Sequence, residues 1–167
     1  GEPTSAEMAH SSAWVEEHLG PEASRPPFSF VYGEKASADL LPTWERAQTT
    51  TELDRRRTQR TVRYSDADTG MEVRCEVVAY TDYPGVEWTV YFSNQGDADT
   101  LILEDVYALD MSLTADERPR FIVHHARGSM MVTNDFEPLS QWMRRNSHLK
   151  IFSNGMSSSE ALPFFNI

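Results

Sequence analysis

Apolar and charged residues alternate in Met71-Glu72-Val73-Arg74-Cys75-Glu76-Val77. A strand sends successive side chains to opposite faces. Met71, Val73, Cys75 and Val77 therefore share one face, and Glu72, Arg74 and Glu76 share the other. Val86, Trp88, Val90 and Phe92 repeat the pattern, with Glu87, Thr89 and Tyr91 opposite. Leu101, Ile102 and Leu103, followed by Val106, Tyr107, Ala108 and Leu109, are apolar at both parities. That run predicts a central strand covered on both sides. Turn chemistry separates the segments at Thr81-Asp82-Tyr83-Pro84-Gly85 and at Asn94-Gln95-Gly96-Asp97. Residues 71–113 thus read as a three-strand meander on which the rest of the chain is built.

Around this meander the signals are shorter. Val15 and Leu19 lie four apart, with Ser11 or Ser12 as a cap and Gly20-Pro21 as a stop, and Met8 extends the same face. These predict a helical arm, joined by the proline-bearing connector 21–27. Phe28 to Tyr32 reads as a strand closed by Gly33, 37–41 as a single turn, and 43–47 and 53–65 as further strands. Asp66-Ala67-Asp68-Thr69-Gly70 is a hairpin loop. Residues 121–125 and 149–152 read as strands, 127–139 as an irregular excursion, and 141–148 as strand or loop. With about ten short strands between turn signals, the expected class is all-β: an antiparallel β-sandwich with a short N-terminal helix. The expected organisation is an arm and connector over 1–26, the sandwich over 27–154, and a loop and strand over 155–167. The apolar end, Phe164 to Ile167, is either an edge strand sealing a sheet or the point where a longer chain continues.

Composition narrows the partners. The chain has 167 residues, enough for one domain with a substantial core. It carries 26 acidic residues against 15 Lys and Arg, a formal net charge of -11. Nucleic acid and anionic membrane surfaces both call for clustered positive charge, so neither is an expected partner. Neutral ligands such as sugars are compatible with the acidic balance. Cys75 is the single cysteine, and its strand position predicts a small buried apolar residue. No apolar run approaches the ~20 residues needed to span a membrane.

Candidate chemistry is sparse. A nucleophile elbow, a glycine-rich phosphate loop and paired zinc-binding cysteines are absent from the sequence. Adjacent His124 and His125 point to opposite faces of a strand, which favours structural roles over metal binding. No cofactor is expected. Glu104, Asp105 and Asp110 bracket an apolar strand, as a pair of glycosidase carboxylates would bracket a cleft. Arg55, Arg56, Arg57, Arg60 and Arg63 are their expected ion-pair partners. Trp14, Trp44, Trp88 and Trp142 are candidate sugar-stacking surfaces, although burial is the preferred reading of each.

The ordered series of segments resembles the N-terminal domain of family 36 glycoside hydrolases, the α-galactosidase (melibiase) group. The resemblance runs through Pro27-Phe28-Ser29-Phe30-Val31-Tyr32-Gly33, Leu40-Leu41-Pro42-Thr43-Trp44, and Leu53-Asp54 with Arg57-Thr58. It continues in Gly70-Met71-Glu72-Val73-Arg74-Cys75, in Tyr80 to Trp88 and in Leu103 to Asp110. It ends in Gly155 to Ser159 and Leu162 to Asn166, and so covers residues 27–167. It implies a large supersandwich preceding a (β/α)8 barrel that bears both catalytic aspartates of a retaining mechanism. A barrel needs about 250 residues, so this chain holds neither barrel nor catalytic residues and is expected to be inactive alone. The implied partners are the chain's own catalytic barrel, a galactoside or other neutral carbohydrate, and further copies in a homo-oligomer. The implied rim residues are Asp39 and Trp44 in the 37–44 segment, and Met156, Ser157 and Ser158 in the 155–159 loop. Met156 stands where the family carries an Arg. The other open readings are a freestanding carbohydrate-binding module and a protein-interaction β-sandwich.

Overall fold

A computed structural model describes residues 2–21, 23, 25–113, 121–144, 146–152, 154–156 and 158–167. The chain is all-β with an N-terminal helix and divides into two compact units, Gly1–Met111 and Ser112–Ile167.

In the first unit the helix α1 spans Ser5–Leu19, longer than the Val15/Leu19 pattern alone implies. Its start is Thr4, not Ser11 or Ser12. The Thr4 hydroxyl accepts from the Glu7 N–H, and the Glu7 carboxylate accepts from the Thr4 N–H at 2.7 Å. This reciprocal capping box satisfies two amides that an uncapped helix end would leave orphaned. Val15 and Leu19 are the buried positions, as their spacing predicts. The strands that follow are β1 (Ser29–Tyr32), β2 (Lys35–Ala36), β3 (Glu45–Glu52), β4 (Arg57–Ser65), β5 (Met71–Tyr80), β6 (Val86–Asn94) and β7 (Leu103–Tyr107). A helical turn α2 (Ser37–Leu40) and a 3-10 turn (Leu41–Thr43) lie between β2 and β3. The stretch 53–65 is therefore not one strand. Its first residues form the β3–β4 turn, in which the Leu53 N–H donates to the Arg57 carbonyl.

Four antiparallel strands form one sheet in the order β3-β4-β5-β6, and three form another in the order β2-β1-β7. Period-two alternation decides which face of the larger sheet is dry. Met71, Val73, Cys75 and Val77 are buried, together with Val62 and Tyr64 from β4. The smaller sheet supplies Phe30 and Tyr32 to the same core, which also takes in Phe28, Leu41, Trp44 and Leu19. Phe30 meets Phe92 edge-on at 5.3 Å between ring centroids and lies 6.2 Å from Trp44. This is sandwich packing: two inner faces interdigitate and the outer faces stay polar. On the outer face Arg74 lies over the Tyr91 ring at 4.4 Å and pairs with Glu76.

The expected meander breaks after its second strand. β5 and β6 pair as a hairpin, but β7 pairs with β1 and occupies the edge of the smaller sheet. Far from being covered on both sides, Ile102 is 71 % exposed and Tyr107 55 %. An apolar run of both parities marks either a doubly covered strand or an uncovered surface. Periodicity does not distinguish them, because it records which positions are apolar and not what lies against them.

The second unit holds β8 (Phe121–Ala126) and β9 (Pro138–Met143) as an antiparallel pair. The end of the chain lies beside β8: His124 and Asn166 exchange backbone hydrogen bonds of 2.8 Å in each direction. Residues 149–152 are irregular and not the expected strand. A loop with Asp135 at its centre connects β8 to β9. The Asp135 carboxylate accepts from the Ser129 hydroxyl and from the Met130 and Met131 amides at 2.9–3.0 Å.

Phe30→Ala is expected to destabilise the first unit by about 3–5 kcal/mol, because it opens a cavity between the two sheets. Urea unfolding followed by tryptophan fluorescence measures this. A loss under about 1 kcal/mol would show that Phe30 is not the wedge described.

Candidate functional site

A cleft of about 500 Å³ opens over the outer face of the small sheet in the first unit. Ser29 and Val31 of β1 line it, with Ala38 of α2 and Pro42 beside them. Asp105, Tyr107 and Asp110 line it too, as does Arg25. The local sequence explains each wall. Ser37 is buried, and its hydroxyl accepts from the Phe30 N–H at 3.2 Å, which fixes α2 against β1. Gly33 turns the chain at φ +56, and its N–H donates to the Ile102 carbonyl at 3.0 Å. A side chain at Gly33 would meet Leu101 at 2.5 Å. The Tyr32 hydroxyl accepts from the Leu101 N–H at 3.3 Å and donates to Thr69 Oγ1 at 3.2 Å.

Asp105 owes its place to a bulge. Ser29 pairs with Tyr107 and Val31 with Glu104, so two steps along β1 span three along β7. The extra residue bends the strand, and Asp105 takes a left-handed backbone, φ +45. Aspartate tolerates that region better than most residues. Asp110 is held by its own N–H, which donates to the Pro27 carbonyl at 2.7 Å. The Trp88 indole N–H donates to the Ala108 carbonyl, also at 2.7 Å, and ties the same segment down.

The arginines on β4 and its preceding turn are not the partners of these carboxylates. Arg56 pairs with Asp82 at 3.3 Å, Arg57 with Asp54 at 2.7 Å, Arg60 with Glu16, and Arg63 with Glu72 at 3.8 Å. The reason is topological: β4 lies between β3 and β5, whereas β7 belongs to the other sheet. Glu104, Asp105 and Asp110 are exposed and make no ion pair within 4.0 Å among the described residues.

The rim candidates fare differently. Asp39 is exposed on α2, next to the cleft-lining Ala38. Trp44 is only 8 % exposed and lies in the core with its ring edge-on to Tyr32, so it offers no face to a sugar. Met156 is 65 % exposed in a loop of the second unit. Ser158 is half-buried there, and its carbonyl accepts from the Ser129 N–H at 2.7 Å. Ser157 lies outside the described residues. The residue that organises this loop is Ser159, which the motif had not singled out for a role. Ser159 is buried, and its hydroxyl accepts from the Asn154 N–H at 2.9 Å and reaches the Met156 carbonyl at 3.2 Å.

Among the remaining aromatics, Trp14 stacks on half-buried Trp88 at 5.6 Å. Trp142 of β9, by contrast with the burial expected of it, is 55 % exposed. On the same face of the β8–β9 pair, His124 Nδ1 and the Ser140 hydroxyl share a 2.8 Å hydrogen bond. The neighbouring His125 is half-buried, and its Nδ1 is enclosed with no hydrogen-bond partner among the described residues. Among the described residues no group of three or more His, Cys, Asp or Glu side chains converges on a metal-binding point. No helix among them is long and apolar enough to cross a membrane. Cys75 is fully buried, and desolvation, aided by the Glu76 charge, pushes its thiol up to about 12.

Comparison with protein-family models, with curated proteins and with solved structures returned no match.

One labelling experiment and one titration test these surroundings. Cys75 is expected to resist iodoacetamide at pH 8 in the folded chain and to react once urea exposes it, as read by intact mass. Rapid labelling of the folded chain would contradict its burial. The Met130 and Ser129 hydrogen bonds hold the Asp135 carboxyl below its ordinary 3.8. Its contribution to stability is therefore complete above 3.8 and is lost as pH falls through the lowered value. The amide resonances of Met130 and Met131 should titrate with a midpoint below 3.8. A midpoint at or above 3.8 would mean the loop is not held this way.

Proposed function

We propose that this chain is the non-catalytic N-terminal β-sandwich of a larger α-galactosidase-like glycoside hydrolase, whose role is to support a catalytic barrel. The observation that carries this reading is the uncovered apolar edge formed by Ile102, Val106, Tyr107 and Leu109, all exposed. Scattered single apolar residues on a surface are ordinary. Four within eight positions, on and beside an edge strand, mark a surface suited to burial against something else. The ordered resemblance across residues 27–167 is the reason for choosing a catalytic barrel as the element that would cover this edge. Asp39, beside the cleft of the first unit, and separately Met156 and Ser158 in their loop of the second, are the candidates for contact with a sugar. Association into a homo-oligomer belongs to the same proposal, through a surface other than the acidic β7 edge.

A second reading is favoured by one observation. Exposed Trp142 shares a strand face with the hydrogen-bonded His124 and Ser140, which is the combination of a flat apolar surface and polar groups that sugars use. On that reading the chain is a carbohydrate-binding module.

The length of the native reading frame tests the first reading. It is expected to continue beyond Ile167 by at least the ~250 residues of a barrel. A stop codon directly after Ile167 would overturn it. The chain alone is expected to release no nitrophenol from p-nitrophenyl α-galactoside, and measurable turnover would place the chemistry here after all. For the second reading, galactoside titration followed by tryptophan fluorescence should saturate and be abolished by Trp142→Ala. A flat titration removes that reading.

A further inference from the structure

We propose that the cleft bounded by Asp105, Tyr107 and Asp110 is the docking point for a basic, extended segment of the polypeptide that covers the 101–110 edge, which inserts an arginine side chain. This rests on the reading of the 101–110 edge as a docking face and adds the chemistry of what docks.

The lining defines the guest. The floor is Ser29 and Val31 of β1, and buried Phe28 and Phe30 lie beneath it, so an aliphatic stem is accommodated there. Two walls carry carboxylates, side chains that accept hydrogen bonds and donate none. The third, Tyr107, presents an exposed aromatic ring. A guanidinium is complementary to each kind of group: its planar fork donates to carboxylates in pairs, and its face stacks on an aromatic ring. Neither Asp105 nor Asp110 is engaged by a cation within 4.0 Å among the described residues, although the chain places five arginines between positions 55 and 63. Four of those arginines pair elsewhere: Arg56 with Asp82, Arg57 with Asp54, Arg60 with Glu16 of α1 and Arg63 with Glu72.

Charge complementarity selects the partner. The chain carries a net charge of -11, so its field attracts a basic segment and repels a second copy of itself. Self-pairing along β7 would also set Glu104 and Asp105 against the same acidic residues of the other copy, which is unfavourable. One group opposes the proposal. Arg25 lines the same cleft and would repel the guest. It therefore serves as an internal control, since its removal should tighten binding.

The test uses the whole 167-residue chain and a fluorescein-labelled synthetic peptide in which valine alternates with arginine. Peptides with glutamate or serine in place of arginine are the controls, and binding is read by anisotropy at low salt. The arginine peptide is expected to bind saturably and the other two not at all. Asp105→Asn and Asp110→Asn should each weaken binding by about fivefold. Arg25→Ala should strengthen it by a similar factor. Asparagine tolerates the left-handed backbone at position 105, so the fold survives that substitution, as circular dichroism would verify. Affinity should fall steeply as salt is raised to about 0.3 M. Equal binding of the serine peptide, or binding unaffected by both aspartate variants, overturns the proposal. So does a concentration-dependent dimer, measured by light scattering, that Asp105→Asn strengthens, since the occupant would then be a second copy. The outcome is separable from the parent reading. A frame that continues past Ile167 with no peptide binding sinks only the docking chemistry, and peptide binding with a stop codon after Ile167 sinks only the barrel.

Discussion

The first unit depends on one layer of contact: the dry faces of two sheets meeting around Phe30. Neither sheet can stand alone. The smaller has three short strands, one of them only two residues long. The larger presents Val62, Tyr64, Met71, Val73, Cys75 and Val77 on one face, which would be open to water without cover. Phe30 closes that face with an edge-on contact to Phe92, and Trp44 packs beside it. Everything functional in this unit is a consequence. The outer face of the small sheet becomes available for a cleft only because its inner face is spent on the core.

The bulge in β7 shows how a local irregularity turns a structural strand into a candidate site. A regular strand would have paired Ser29 to Tyr107 and Val31 to Asp105. The additional residue shifts the pairing so that Val31 meets Glu104, and leaves Asp105 in a left-handed backbone at the cleft. The bulge and the carboxylates also discourage edge-to-edge pairing with another acidic copy. The edge therefore carries exposed apolar residues and exposed carboxylates side by side.

Legibility in the sequence followed the strength of the periodic signal. The inward row of β5 and the helix positions Val15 and Leu19 were readable because each occupies a regular repeat whose other face is polar. The Asp66–Gly70 loop was readable from turn chemistry, and Gly70 does adopt a positive φ. The carboxylates near β7 stood out as unusual, but their ion-pair partners were misassigned. Strand neighbours in space depend on sheet order, and the crossing of the chain between sheets after Asn94 leaves no periodic trace. Trp44 and Trp142 show the same limit from the other side. Both lie where the pattern is weak, and one proves buried and the other exposed.

The sequence by itself determined an all-β chain with one amphipathic sheet, a helical arm that buries Val15 and Leu19, a buried cysteine and a net charge of -11. These are properties of residue type and spacing, and local physics is enough to fix them. Only the tertiary structure decided that β7 lies at an edge, that its Val106 and Tyr107 are uncovered, and that Asp105 and Asp110 share a cleft with Tyr107. Those facts depend on which strands pair across long sequence separations. That choice is made by the burial of whole faces against each other, which no short stretch of the chain contains.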